Sequence, residues 1–185
     1  QILLERQMNG NVPHDTYYVY DNSGNLCYVL PPLLVDGITT YSTSDDALTM
    51  KQYAYIYKYD RFNRCIKKRL PGCGWHYFIY DKADRLIFTQ DAEQRKRNEW
   101  TYSIPDAHGR ILQTGFCYNS DISNENYENK LVVGSNVGST YSFSNFVPVS
   151  DKRLIRNYYD NYNFLSGRSG AAIEALQYEE CQGYG

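Results

Sequence analysis

One short phrase of residues recurs along this chain and limits its folding options more than any other feature. It runs Tyr20-Asp21-Asn22-Ser23-Gly24-Asn25, then Tyr59-Asp60-Arg61-Phe62-Asn63-Arg64, then Tyr80-Asp81-Lys82-Ala83-Asp84-Arg85. A fourth copy, Pro105-Asp106-Ala107-His108-Gly109-Arg110, has proline in the tyrosine slot. Aromatic and β-branched runs such as Tyr77-Phe78-Ile79-Tyr80 and Leu86-Ile87-Phe88 flank the phrase, so each copy reads as a strand, a tight turn and a returning strand. Recurrence at this scale marks a repeat architecture, in which one supersecondary unit is laid beside the next.

The turn chemistry is local. An aspartate at the start of a turn accepts hydrogen bonds from backbone N–H groups two residues on. Gly24, Asn63 and Gly109 lie three residues after their aspartates, where hairpin turns often need positive φ. Asp84 fills that slot in the third copy and tolerates the conformation less readily. Next comes Asn25, Arg64, Arg85 or Arg110, and an arginine there has the reach to return to its own aspartate or to a neighbouring hairpin's carbonyls.

These residues give the chain a resemblance to the YD-repeat or RHS-repeat proteins, most closely the form found in large bacterial surface and secreted polypeptides. The resemblance covers roughly residues 15–115 and, more weakly, Tyr158 to Leu165. It implies a mainly β fold of consecutive antiparallel hairpins, forming a curved sheet or partial β-spiral with one or two short helices in insertions. In long members such hairpins coil into a hollow shell; this chain carries too few to close one. The chain lacks the D-P-x-G type of motif associated with self-cleavage in toxin-type members, so neither protease activity nor cargo is expected. An extracellular or cell-surface location follows from the resemblance alone.

Along the chain, residues 1–115 form the hairpin region, with an insertion at 33–52 that explains why the first two turn aspartates lie nearly twice as far apart as the next two. Asn9-Gly10-Asn11 marks a turn between outer strand pieces, and Pro31-Pro32 stops the first unit. Ser44 to Lys51 has a capping residue, early acids and a late base, predicting a short helix. Asp91 to Arg97 reads as a charged outer loop. Residues 116–150 are an Asn- and Ser-rich insertion in which at least one further strand pair is expected, because structureless loops of that length are uncommon in compact domains. Residues 151–185 hold a degenerate final repeat and a C-terminal tail, with a last short helix over Ala171 to Glu180. The chain opens and closes as though cut from something longer.

Composition narrows the function classes. Tyrosine supplies 20 of the aromatic residues against 7 Phe and 2 Trp, and its hydroxyl needs a partner or water, which favours thin, half-wet sheet faces. A net charge of −2 gives no general attraction to nucleic acid or anionic membranes. Of the one basic cluster, strand alternation puts Lys67 and Arg69 on one face and Lys68 on the other, which reads as a solvated, lysine-protected strand edge. No apolar run is long enough to span a bilayer. Five widely spaced cysteines and three scattered histidines make a closed zinc site improbable and leave open whether any cysteines pair.

No catalytic, metal or cofactor site is expected. Gly134 to Thr140 lacks the lysine of a phosphate-binding loop, and Ser166 to Gly170 lacks the glycine spacing of a nucleophile elbow; both read as loops. Asp45-Asp46 and Glu179-Glu180 read as capping or solvated charge, and His14 and His76 as packing or surface residues. The expected role is a non-enzymatic scaffold or shell segment, with flanking repeats of a longer chain as partners. Its structural positions are Asp21, Gly24, Asp60, Arg64, Asp81, Arg85, Asp106, Gly109 and Arg110. The alternative is a glycan- or cell-surface-protein-binding module using Tyr53, Tyr55, Tyr57 and Tyr59, which strand alternation would align on one face.

Overall fold

A computed structural model describes residues 1–36, 44–118, 134–137, 140–143 and 149–159. The tyrosine-rich runs form strands: β1 (Leu4–Asn9), β2 (Val12–Tyr20), β3 (Leu26–Leu30), β4 (Tyr55–Tyr59), β5 (Cys65–Arg69), β6 (His76–Tyr80), β7 (Leu86–Gln90), β8 (Glu99–Pro105) and β9 (Ile111–Tyr118). With β12 (Val149–Arg156) they make one open, ten-stranded sheet in which every described pairing is antiparallel and β1 to β9 follow chain order. Three short helices lie in the connections: α1 (Pro32–Val35), α2 (Leu48–Tyr53) and α3 (Ala92–Lys96). In the 116–150 insertion, β10 (Gly134–Val137) pairs with β11 (Thr140–Phe143), so the segment read as a loop from Gly134 to Thr140 contains strand residues.

The four Asp-turn hairpins, β2–β3, β4–β5, β6–β7 and β8–β9, share an irregularity. Each slips register immediately before its aspartate, leaving Cys27, Ile66, Ile87 or Leu112 as the extra residue on the returning strand. A bulge of this sort re-aims the side chains beyond it. Ile66 and Ile87 are buried at these positions. They join Tyr77, Ile79, Phe88, Trp100, Tyr102, Cys117 and Tyr141 in the main core, while a smaller core of Leu34, Ala54 and Ile56 lies under α1 and α2. Trp75 packs against both.

Several local expectations are corrected. The helix expected over Ser44 to Lys51 begins at Leu48, with Ala47 as its uncapped N-terminal neighbour. Asp45 is neither a cap nor solvated: its carboxylate accepts from the Tyr28 hydroxyl at 2.9 Å and lies 2.8 Å from the Lys58 ammonium. Asp91 to Arg97 is not a loop, because Asp91 accepts from the Glu93 and Gln94 backbone N–H groups and Gln94 returns a bond, a capping box that starts α3. β5 is no edge strand either. It lies between β4 and β6, and Arg69 is 2% exposed. The expected helix over 171–180, the loop at 166–170 and the Glu179-Glu180 pair lie outside the described residues.

Candidate functional site

The recurring aspartates all make the same turn. Asp21 Oδ1 accepts from the backbone N–H groups of Ser23 and Asn25, Asp60 from Phe62 and Arg64, Asp81 from Ala83 and Arg85, and Asp106 from His108 and Arg110, all at 2.8–3.0 Å. The second oxygen takes the side chain four residues on: Asn25 in the first turn, and the Arg64, Arg85 and Arg110 guanidinium groups in the others at 2.7–2.8 Å. Gly24, Asn63, Asp84 and Gly109 all have positive φ, from 59° to 86°, as the three-residue hairpin loop requires.

These turns lie along one rim, joined from each to the next. Asn25 Nδ2 donates to Asn63 Oδ1 at 2.9 Å, Arg64 Nη1 to Asp84 Oδ1 at 2.8 Å, and Arg85 Nη1 to the Asp106 carbonyl at 2.8 Å. Alternate strands lie about 10 Å apart, which suits the long arginine; the shorter Asn25 meets a side chain extended from the next turn. The tyrosines link the other way. Tyr59 donates its hydroxyl to the Leu26 carbonyl at 3.0 Å and Tyr80 to Cys65 at 2.9 Å, each acceptor being the first residue of the preceding hairpin's returning strand. Tyr20 reaches Ile2 at 3.1 Å, and Tyr159 reaches Ile111 at 3.1 Å across the β9–β12 pair. The guanidinium of Arg64 packs over Tyr80, so a forward and a backward link touch there, and that of Arg110 packs over Tyr159.

Burial alone would raise the Asp81 carboxyl, but bonds from Arg85, its backbone N–H and the Tyr141 hydroxyl outweigh it and hold the group below the ordinary carboxylate range. Burial is likewise overcome at Asp60 and Asp106 by Arg64 and Arg110. Asp21 is lowered first by the Asn25 side chain and then by backbone N–H groups. Burial pushes the Tyr59 phenol up to about 12, keeping it a neutral donor. Tyr141, from the insertion hairpin, reaches Asp81 Oδ2 at 2.9 Å; nothing local to Asp81 announces so distant a partner.

The four tyrosines of the alternative site do not form one row. Tyr53 ends α2, while Tyr55, Tyr57 and Tyr59 belong to β4. Tyr57 and Tyr59 line a cavity of about 300 Å³ with Asp21, Lys58 and Lys67. His14 lies 3.4 Å from Asp36, and His76 starts β6. Cys27, Cys65, Cys73 and Cys117 are free thiols, and burial pushes Cys117 up to about 12. Among the described residues no helix is long and apolar enough to cross a membrane, and no group of His, Cys, Asp and Glu is placed to hold a metal.

The fold and its rim define a strand-repeat protein, built of consecutive antiparallel hairpins in one open sheet. No family model matches the chain, and no curated protein does. Among solved structures, a Tc holotoxin pore of Photorhabdus luminescens carrying a TccC3 mutation aligns at 15% identity and a TM-score of 0.45, over 65% of this chain and 5% of that one. A TcdB2–TccC3 crystal structure aligns at 14% identity and a TM-score of 0.45, over 64% of this chain and 5% of that one. The chain thus spans about 5% of the length of the structures it aligns with.

Proposed function

We propose that the chain is a non-enzymatic scaffold segment of a larger extracellular or surface-associated bacterial protein of the RHS-repeat kind. The supporting observation is the rim: its aspartates and arginines bond to their own turns and to neighbouring turns in series, and they do not converge on one cleft. Chemistry at a reacting centre needs groups brought together; here they are distributed. Flanking repeats of the same polypeptide are the natural partners. β1 presents an unpaired outer edge in the described structure, and Ile2 accepts from Tyr20 as Leu26 and Cys65 do from Tyr59 and Tyr80. A preceding strand added there would continue the ladder.

Hydrogen exchange on Arg85→Ala tests the scaffold role. Faster exchange is expected in both the third and fourth hairpins, because Arg85 joins their turns. Unchanged exchange and stability would remove the scaffold reading's main support. A second reading, glycan binding at Tyr57 and Tyr59, draws on the cavity they line. It requires saturable binding in a glycan panel that Tyr57→Ala weakens without unfolding the chain.

A further inference from the structure

At the opposite end of the strands from the Asp rim, α2, the end of β5, the loop before β6 and α3 border an open cleft of about 460 Å³. Among the described residues its lining includes Lys51, Arg69 and Arg95 and one carboxylate, Asp46. Arg69 is the unusual member. At 2% exposed it is among the most buried side chains described, although a buried charge is normally matched by close partners. Its Nη2 donates to the Asp45 carbonyl, its Nη1 lies 3.4 Å from the largely exposed Asp46 carboxylate, and its guanidinium packs over Trp75 at 4.8 Å. Among the described residues its buried Nε has no hydrogen-bond partner. The Asp45 carboxylate also feels the charge of Arg69, but its direct contacts are with Lys58 and Tyr28.

The remaining cations are held around the same space. Lys51 reaches Asp46 only at 3.5 Å, and Arg95 is anchored from α3 by a 2.5 Å bond to the Trp75 carbonyl and by packing over the Tyr77 ring. Gly74, also in the lining, approaches α3 so closely that a Cβ would lie 2.5 Å from Ala92, so the loop and helix are fitted to one another. The result is an open cleft whose described lining is predominantly cationic, with Trp75 in its wall.

We propose that this cavity binds a small oxyanion, a carboxylate or phosphate group, with Arg69 and Lys51 as its principal ligands. Guanidinium donors suit such groups because they present N–H bonds in a fixed fork. The assignment does not depend on the scaffold reading, which concerns the other rim.

Titration of the full chain with inorganic phosphate and with glucuronate, at constant ionic strength, tests it. Glucose serves as the uncharged control and tryptophan fluorescence as the readout, since Trp75 lines the cavity while Trp100 is fully buried elsewhere in the core. A saturable change is expected with at least one anion and none with glucose; the two arms distinguish a phosphate from a carboxylate ligand. Lys51→Ala is expected to weaken binding about threefold to tenfold, the range of a partly exposed charge contact, while Lys96→Ala, outside the lining, leaves it unchanged. Arg69→Met is expected to abolish saturation if circular dichroism shows it folded; if it does not fold, Lys51→Ala decides. Linear responses to both anions, equal binding of glucose, equal weakening by Lys96→Ala, or normal binding by folded Arg69→Met would overturn the assignment.

Discussion

Tyr59 in the second hairpin donates its hydroxyl to the Leu26 carbonyl of the first at 3.0 Å, and one repeat later Tyr80 does the same to Cys65. The tyrosine of each Tyr-Asp pair therefore belongs energetically to the hairpin before its own, while the aspartate belongs to its own turn. Tyr59→Phe and Tyr80→Phe keep the ring and delete only the link. Each is expected to lower stability by about 1 kcal/mol, the net worth of one intramolecular hydrogen bond, measured as a shift in the urea midpoint at unchanged slope.

Asp81 and Asp21 make the same backbone bonds but differ in what faces their second oxygen. Asp81 is 1% exposed and paired with Arg85 and Tyr141, whereas Asp21 is exposed and paired with neutral Asn25. Asp81→Asn leaves Arg85 without its counter-charge, and a loss of about 3 kcal/mol is expected for breaking such a pair. Asp21→Asn is expected to have a much smaller effect. Equal losses in parallel urea titrations would mean that the ion pairs add nothing to the turn.

Acid should unfold the chain through these same groups. The carboxyls of Asp60, Asp81 and Asp106 lie below their ordinary value of 3.8 in the folded state. A depressed folded value favours the folded state at pH values above the unfolded one, and the contribution disappears as pH falls through the folded values. Thermal midpoints should be insensitive to these groups above about pH 5 and should drop steeply below about pH 4. With Asp81→Asn the drop should be shallower.

Gly109 isolates the backbone requirement of the turn. Its φ is +86°, and an added Cβ would meet nothing within 4 Å, so Gly109→Ala carries a conformational penalty with no clash. A loss of about 1–2 kcal/mol is expected, read from thermal or urea unfolding, with Gly109→Asn costing less because asparagine tolerates this region.

Gly115 presents the opposite case, a crowded site with no positive-φ demand. A Cβ there would run into the Lys152 carbonyl oxygen and lie 2.7 Å from the Tyr102 hydroxyl. Gly115→Ala is expected to push β12 off β9, giving faster hydrogen exchange in 149–156 while β2 to β7 keep their protection.

The hairpins were legible in the sequence because their determinants are local: an aspartate, a positive-φ residue and a long donor all lie within five positions. The same locality made α3 readable in principle through Asp91 and Gln94, although the density of charge there suggested a loop. Arg69 was misjudged because alternation assigns a side chain to a face but does not say whether another strand or helix covers that face. The Tyr141 contact with Asp81 joins positions far apart in sequence, and only the packed insertion brings them together. Tyr53 was grouped with the β4 tyrosines because it keeps their period, yet the chain is still helical there.

The two ends of the strands are built to different rules. On one, each turn has the same length and is tied to its neighbours. On the other, the connections vary freely, with a short loop between β5 and β6, one helix between β7 and β8, and two helices between β3 and β4. New material added at the variable end leaves the spacing of the tied end unchanged. Such a chain has a spine and a fringe: the spine keeps successive units in step, and the fringe is where one unit acquires features its neighbours lack.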